Sequence, residues 1–554
     1  MDYLSLCLIC KDENEYLPEW LDYHILMGVD RFYIYDNESR VSLRESLKEY
    51  IARGWVVVVD IPGIVMQLYA YDHCLQTFGS HTFWIGFIDA DEFLVPKTTL
   101  DLKELLKDYE PYGGLAVSEL FFGSNGHKTR PSAGQIAAYT RHTHATLKQN
   151  LYVKSIVQPG LVLMPNTPHD FTYIDHAWCV NEGNLRVDFQ CFPNYTTKIQ
   201  LNHYYCRSEE EIDLKLARGN SQIVAWPRKR FEVINSMATY KDTTILQNLK
   251  VLFQKASLDI CELVESPLTA GLLEKMSVLA HARQPAPLIT GQMIPPHAAL
   301  SFRAGFLEMD ALKAQTRAAI NRKEFDEFKR LMLLLLQRMP QNIVLYTDIA
   351  AFLLDFGDHE AAWQMLSQAW LLSPNNNYNV LSGMAFYFIR VENYTMAENI
   401  CRLLLGLAPH ELTALGLLTY SLLGQRRYEE ALRVGVPVVE LSAKVGELPE
   451  RMGVILVKKM ADYLLEKKDY TGAARLWEAG VKCQRDDVNA LLEFARVLLL
   501  AGDKNKARQR LTEAQALAEA EGLAAQNEAV QALLRQVVAS VPLSTAHMGK
   551  KRSH

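Results

Sequence analysis

Up to about residue 235 the chain alternates short apolar runs with amphipathic stretches. The run Leu4–Cys10 leads into a helical pattern over Asp12–Met27, and Arg31–Tyr35 follows as a second apolar run. Helical segments near Leu43–Ala52 and Gln67–Phe78 flank the run Trp55–Ile61, and Thr82–Ile88 closes the series. Strand, helix, strand, helix, strand, helix, strand predicts a mostly parallel sheet covered by helices, an α/β domain. Such sheets place ligands beyond the carboxyl ends of their strands, so the polar residues after each run carry the candidate chemistry.

A second rhythm takes over from about residue 243, helical to about 280, before Pro285, Pro287, Gly291, Pro295 and Pro296 mark a linker. After Leu300 the patterns are helical. Pro340, Pro374 and Pro409 recur at intervals of 34 and 35 residues, Ala362, Ala397 and Ala431 at 35 and 34, and Ala473 and Ala507 at 34. Tyr394, Tyr428 and Tyr470 each stand three residues before their alanine. A small residue where two helices must approach, with proline closing the second helix, resembles the tetratricopeptide repeat. The interval of 42 between Ala431 and Ala473 departs from that period and predicts a longer helix or loop near Leu441–Met452. The expected organisation is an α/β domain over 1–240, a helical extension and Pro-rich linker over 241–300, an all-α solenoid over 301–540 and a disordered tail over 541–554. Solenoids present extended concave surfaces, so this one is expected to hold a protein partner, an acceptor or a second copy of the chain.

Composition narrows the class. With 554 residues, 49% apolar and 22% charged, the chain is globular and large enough for several domains. A net charge of −6 argues against a general nucleic-acid binder. Nine scattered cysteines form no disulfide framework and point to a reducing compartment. Cys7 and Cys10 have CxxC spacing, but they lie inside an apolar strand run and read as strand filler. Apolar stretches fall short of the roughly 18 residues of a membrane span, and the N-terminus lacks a signal-peptide pattern. A cytoplasmic protein, free or peripheral at a membrane, is expected. The closing Lys550–Arg552 reads as a solvated tail.

The strongest local signal is Trp84–Phe93, where an apolar strand feeds directly into Asp89, Ala90, Asp91 and Glu92. Three carboxylates within four residues repel one another unless a cation or hydrogen-bond donors compensate them. Oxygen ligands at a strand end suit Mg²⁺ or Mn²⁺ bridging to diphosphate oxygens, whereas a solvated or helix-capping turn needs no metal.

Cys10–His24, Tyr33–Asn37, Phe87–Phe93, Phe122–His127, Lys154–Val157 and Asn202–Tyr205, in this order, resemble glycosyltransferase family 92 and its bacterial relatives over about residues 1–225. The resemblance implies a GT-A nucleotide-sugar fold, like that of family 2, with inverting transfer and Mn²⁺ or Mg²⁺ at Asp-x-Asp. Asp91 would then hold the metal, with Asp89 on metal or ribose and Asp36 and Asn37 near base or ribose. Asp12 serves the donor or caps a helix, and Lys154 meets phosphate or pairs with a carboxylate. His203 stands where such enzymes supply a late histidine to metal or diphosphate; His169 does the same or lines the acceptor pocket. Inversion requires a general base, for which Glu119, Asp170 and Glu182 are candidates. Glu119 occupies a position where relatives often carry an aromatic residue. Lys215 and Arg218, on a helix with a Ser cap and early acidic residues, either touch phosphate or form a charged face.

The expected activity is transfer of a hexose from a nucleotide sugar, UDP-linked first, to a hydroxyl of a glycan, a lipid-linked oligosaccharide or a protein. One rival is a scaffold whose transferase-like domain is inactive. Another is a nucleotidyltransferase, but the first strand ends in Lys11–Asn14 without a Gly-rich phosphate loop.

Overall fold

The computed structural model describes residues 1–145, 148–174, 176–191, 194–218, 228–256, 271–285, 302–322, 324–373, 378–407, 409, 411–445, 453–483, 487–520 and 522–539. The amino-terminal apolar runs become strands β1 (Asp2–Cys10), β2 (Arg31–Asp36), β3 (Val56–Asp60) and β4 (Thr82–Phe87), parallel and in the order β3–β2–β1–β4. Their helical connections include Leu17–Leu26 and Gln67–Phe78. The chain continues through β5 (Glu92–Pro96), β6 (Gly114–Phe121), β7 (Arg141–His142), β8 (Val153–Val157), β9 (Val162–Pro165), β10 (Phe171–Tyr173), β11 (Cys179–Val180), β12 (Ile199–His203) and β13 (Tyr240–Lys241). Past β4 the sheet runs on as β8–β6–β12–β5, with β11 beside β6. Strand β8 is antiparallel to β4 and β6, while β12 is parallel to β6 and antiparallel to β5, so the sheet is mixed. Pairs β9–β10 and β7–β13 form separate two-stranded ribbons.

The strands read as near-continuous apolar runs because helices cover both faces of the sheet. Alternate residues of β1 serve opposite faces. Leu4, Leu6, Leu8 and Cys10 pack with Trp20 and Leu21 of helix Leu17–Leu26, whereas Cys7 packs with Tyr71 and Cys74 of helix Gln67–Phe78. The CxxC spacing therefore splits its thiols across the sheet, as strand filler does. Arg31, buried at the start of β2, is held by Asp2 at 3.0 Å and by the Gly54 carbonyl. Helices Thr244–Lys255 and Gly271–Ala282 add Ile245, Leu249, Phe253, Leu272 and Met276 to the same core as Leu4 and Trp20.

From Ala304 onward the described residues are helical. Helices Ile343–Asp355/His359–Leu372, Tyr378–Arg390/Tyr394–Leu407, Leu412–Gly424/Tyr428–Val445, Gly453–Glu466/Tyr470–Cys483 and Val488–Leu500/Lys504–Ala520 are consecutive pairs joined by short turns. The periodic alanines 362, 397, 431, 473 and 507 each occupy the fourth position of a second helix, and all are fully buried. Each turn contains one left-handed residue, Gly357, Glu392, Arg426, Lys468 or Gly502. The next residue's N–H returns to a carbonyl five back, from Asp358 to Leu353 and likewise at Asn393, Arg427, Asp469 and Asp503. Asp358, Asn393, Asp469 and Asp503 then cap the second helix with a side-chain oxygen, the usual remedy for its free N–H groups. Helix Tyr428–Val445 reaches 18 residues where its counterparts Tyr394–Leu407 and Tyr470–Cys483 have 14, part of the extra length expected there; residues 446–452, like Pro374 and the tail, lie outside the described residues.

The chain divides into two compact units, Met1–Tyr387 with Leu403–Glu411, and Phe388–Arg402 with Leu412–His554. Among the described residues no helix is long and apolar enough to cross a membrane.

Candidate active site

The carboxyl ends of β1, β2 and β3 meet in loops ordered by three of the sequence-selected residues. Asp12, in the left-handed region at φ 59°, accepts hydrogen bonds from Arg40 N at 2.8 Å and Arg40 Nε at 3.2 Å. Asp36 accepts from Ser39 N at 2.9 Å and Leu43 N at 3.1 Å. Asn37 Nδ2 donates to the carbonyls of Ile61 at 2.7 Å and Gly63 at 2.9 Å. These side chains tie the loops after the first three strands to one another.

The carboxylates after β4 face different partners. Asp89 Oδ2 accepts from Lys154 Nζ of β8 at 2.8 Å, and its Oδ1 accepts from Gln67 Nε2 at 3.1 Å. Asp91 Oδ2 accepts from Lys215 Nζ at 3.0 Å, while its Oδ1 lies 3.7 Å from His203 Nε2. Glu92, fully buried, accepts from Asp89 N at 2.8 Å and lies 3.5 Å from both Lys154 Nζ and His203 Nδ1. Glu119 reaches His203 Nδ1 at 3.2 Å and has His169 Nδ1 at 3.6 Å.

Strand register explains this convergence. His203 stands opposite Glu92 across the antiparallel β12–β5 pair, and Leu201 stands opposite Glu119 across the parallel β12–β6 pair. Glu92, Glu119 and His203 consequently bring one ligand atom each within 4.8 Å of one another. Lys215 arrives on helix Glu209–Arg218, whose start is a capping box: Glu211 N donates to Ser208 Oγ, and Ser208 N donates to Glu211 Oε2. The Arg218 side chain lies outside the described residues.

Burial and charge divide the protons. Burial pushes the Glu92 carboxyl up to about 8, against the pull of Lys154. Burial works upward on Asp91 too, but the charges of Lys215 and His203 hold its carboxyl well below the ordinary range. Glu119 is likewise raised by burial and brought below its usual value by its hydrogen bond to His203. Burial lowers the His203 imidazole, yet Asp91, Glu119 and Glu92 raise it to about 10. For Lys154, the charges of Asp89 and Glu92 overcome burial and keep it firmly protonated. Burial depresses His169, which remains neutral with Nδ1 2.9 Å from the Val153 carbonyl.

Asp170 faces inward to its own loop: Oδ2 accepts from Asn166 Nδ2 at 3.2 Å, and Oδ1 accepts from Thr167 Oγ1. Glu182 accepts from the backbone N–H groups of Thr197, Lys198 and Ile199, a structural duty. Of the three candidate bases, Glu119 is the one the strands bring to the cluster. Glu92 was counted from sequence in the acidic strand end but given no role, and Gln67, at the start of a helix after β3, was not singled out because it has no signal of its own.

The carboxyl edge of a mixed sheet thus gathers carboxylates, a buried lysine and a histidine. Residues 3–186 match the family model described as Glycosyltransferase family 92. Family 92 proteins of Ricinus communis and Oryza sativa subsp. japonica are each 29% identical, over 185 and 186 residues. The match takes in 32% of this chain and 33% and 31% of theirs, so the chain spans about a third of the length of these curated relatives. These matches support a glycosyltransferase. The chain is also similar to a tetratricopeptide repeat protein from Parabacteroides merdae, with 15% identity, coverage of 53% of this chain and 99% of that one, and a TM-score of 0.31.

Proposed function

We propose that this protein is a metal-dependent glycosyltransferase that moves a hexose from a nucleotide sugar, UDP-linked first, to a hydroxyl of a glycan, lipid-linked or protein acceptor, with inversion. The observation that carries the reading is the meeting of His203, on β12, with Asp91, Glu92 and Glu119 of the segment that matches family 92.

The side chains fit a divalent cation. Oε1 of Glu92 and of Glu119 are both buried without a hydrogen-bond partner, and carboxylate oxygens with an imidazole suit Mn²⁺ or Mg²⁺. A cation arriving there would displace the protons of Glu92 and His203, and Asp91, Glu92 and His203 would hold it, where it would offset charge on the departing diphosphate. Asp89, anchored by Lys154 and Gln67, orients the donor's ribose side. Glu119, flanked by His203 and His169, takes the proton of the acceptor hydroxyl. The repeat region presents the acceptor or a protein partner.

The test is thermal stabilisation of the full chain by a panel of UDP-, GDP- and dTDP-sugars with and without Mn²⁺, followed by turnover with the stabilising donor. A midpoint rise that needs both sugar nucleotide and metal is expected, because selective native-state binding raises stability. A well-folded sample that responds to none of them turns the reading toward the inactive scaffold.

A further inference from the structure

The segment matching family 92 ends at residue 186, yet helix Ala304–Asn321 touches two elements that flank the candidate site. On one side it meets helix Gln67–Phe78. Tyr69 OH donates to Asp310 Oδ2 at 2.6 Å, and the Tyr69 ring packs against Phe302 and Phe306 with centroids 5.1 and 5.2 Å away. Arg303 grips the fully buried Asp72 with Nε at 2.8 Å and with Nη2. The same helix begins with Gln67, which donates to Asp89.

On the other side Lys313 Nζ donates to the Asn166 carbonyl at 3.0 Å. That carbonyl belongs to a tight loop in which Asn166 N and Thr167 N donate to the Asp170 carbonyl at 3.0 and 3.3 Å. The loop carries His169, the neighbour of Glu119. One helix therefore braces both the support of Asp89 and the loop that presents His169, and every contact lies within one compact unit.

We propose that helix Ala304–Asn321 is a working wall of the transferase site, with Tyr69, Asp310 and Lys313 acting as positioning residues for Asp89 and His169. This rests on the transferase reading above. Residues 1–240 alone then lack part of their site, and the start of the helical region contributes to chemistry as well as to partner binding. The two braces act on different substrates. Tyr69 and Asp310 steady the donor side through Gln67, while Lys313 steadies the loop beside the proton-accepting pair.

Arg303→Ala is a poor test, because it strands the Asp72 carboxylate in the core and threatens folding. Tyr69→Phe keeps the ring and removes one hydrogen bond; Lys313→Met keeps the stem and removes the ammonium. Both are measured in the full chain. Tyr69→Phe is expected to raise the KM for the nucleotide sugar about tenfold with kcat within about twofold. Lys313→Met is expected to lower kcat about tenfold with that KM nearly unchanged, and Lys313→Arg to restore it. Hydrogen exchange should quicken at Gln67–Tyr71 in the first variant and at Asn166–Asp170 in the second. Unchanged kinetic constants in folded variants, or unchanged exchange at both segments, overturn the wall. A wild-type chain that turns over no sugar nucleotide overturns the transferase reading instead, and exchange alone then decides whether the braces exist.

Discussion

Lys215 Nζ donates to Asp91 Oδ2 at 3.0 Å, so the carboxylate central to the candidate metal site already carries a cation from the protein itself. The lysine is also 4.7 Å from the centre of the Tyr205 ring, which steadies it over the strand end. A divalent ion at Asp91 would compete with this ammonium, and a diphosphate arriving with the ion would offer the ammonium a new partner.

Lys215→Met should therefore tighten Mn²⁺ binding in the absence of nucleotide by about tenfold, ~1.4 kcal/mol, and weaken UDP binding in the presence of Mn²⁺. Calorimetric titration of each ligand checks both. Equal Mn²⁺ affinity in the two proteins would show that the pair does not compete with metal.

Asp91→Asn retains the shape of the side chain and removes its charge. Transfer should fall by about 10²–10³, with far-UV circular dichroism unchanged and the Mn²⁺-dependent rise in melting midpoint gone. Wild-type turnover in this variant would remove Asp91 from the metal site.

Lys154 is buried between Asp89 at 2.8 Å and Glu92 at 3.5 Å. Lys154→Met leaves buried carboxylate without its counter-charge and should cost about 3–5 kcal/mol in denaturant unfolding. A loss below about 1 kcal/mol would mean that the cluster neutralises itself by other means.

His24 is fully buried, with Nδ1 2.8 Å from the Trp20 carbonyl and Nε2 accepting from Leu94 N at 3.3 Å. Burial depresses its imidazole from 6.5 to about 3, so the fold holds it neutral while the unfolded chain protonates it below pH 6.5. Its contribution is complete above that pH and is lost as the pH falls toward 3, at a limiting slope of about 1.4 kcal/mol per pH unit. Denaturant melts between pH 7 and pH 5 should show a steeper acid loss in the wild type than in His24→Met. Parallel losses in the two proteins would assign acid sensitivity to other groups.

Ala431 is fully buried at the fourth position of helix Tyr428–Val445. Ala431→Leu forces extra methylenes between packed helices and should cost about 1–3 kcal/mol, lowering the melting midpoint of the helical region. Leaving the site residues untouched, it should spare Mn²⁺ affinity. A midpoint equal to the wild type would mean that the repeat interface has room the packing does not reveal.

Much of the architecture was legible because it is local and periodic. Short apolar runs alternating with amphipathic stretches favour strands covered by helices, and an alanine recurring at 34 or 35 residues marks a close helix crossing. The left-handed turns follow the same period, yet Glu392, Arg426 and Lys468 there are not glycine, so composition conceals them. Asp89, Asp91 and Glu92 were visible as a cluster because they are neighbours in the chain.

What they face was not visible. The partners of Asp89 and Asp91 come from residues 67, 154, 203 and 215, on elements that sequence spacing does not relate. Glu119 and Glu92 meet His203 only through the register of β12 between β5 and β6, and a one-residue slip would turn His203 to the opposite face. Local patterning thus determined the strands, the helix pairs and the acidic strand end, because side-chain period and turn chemistry act over a few residues. Tertiary packing decided which charges share the site, because pairing of distant strands and burial of their side chains set both the distances and the protonation states.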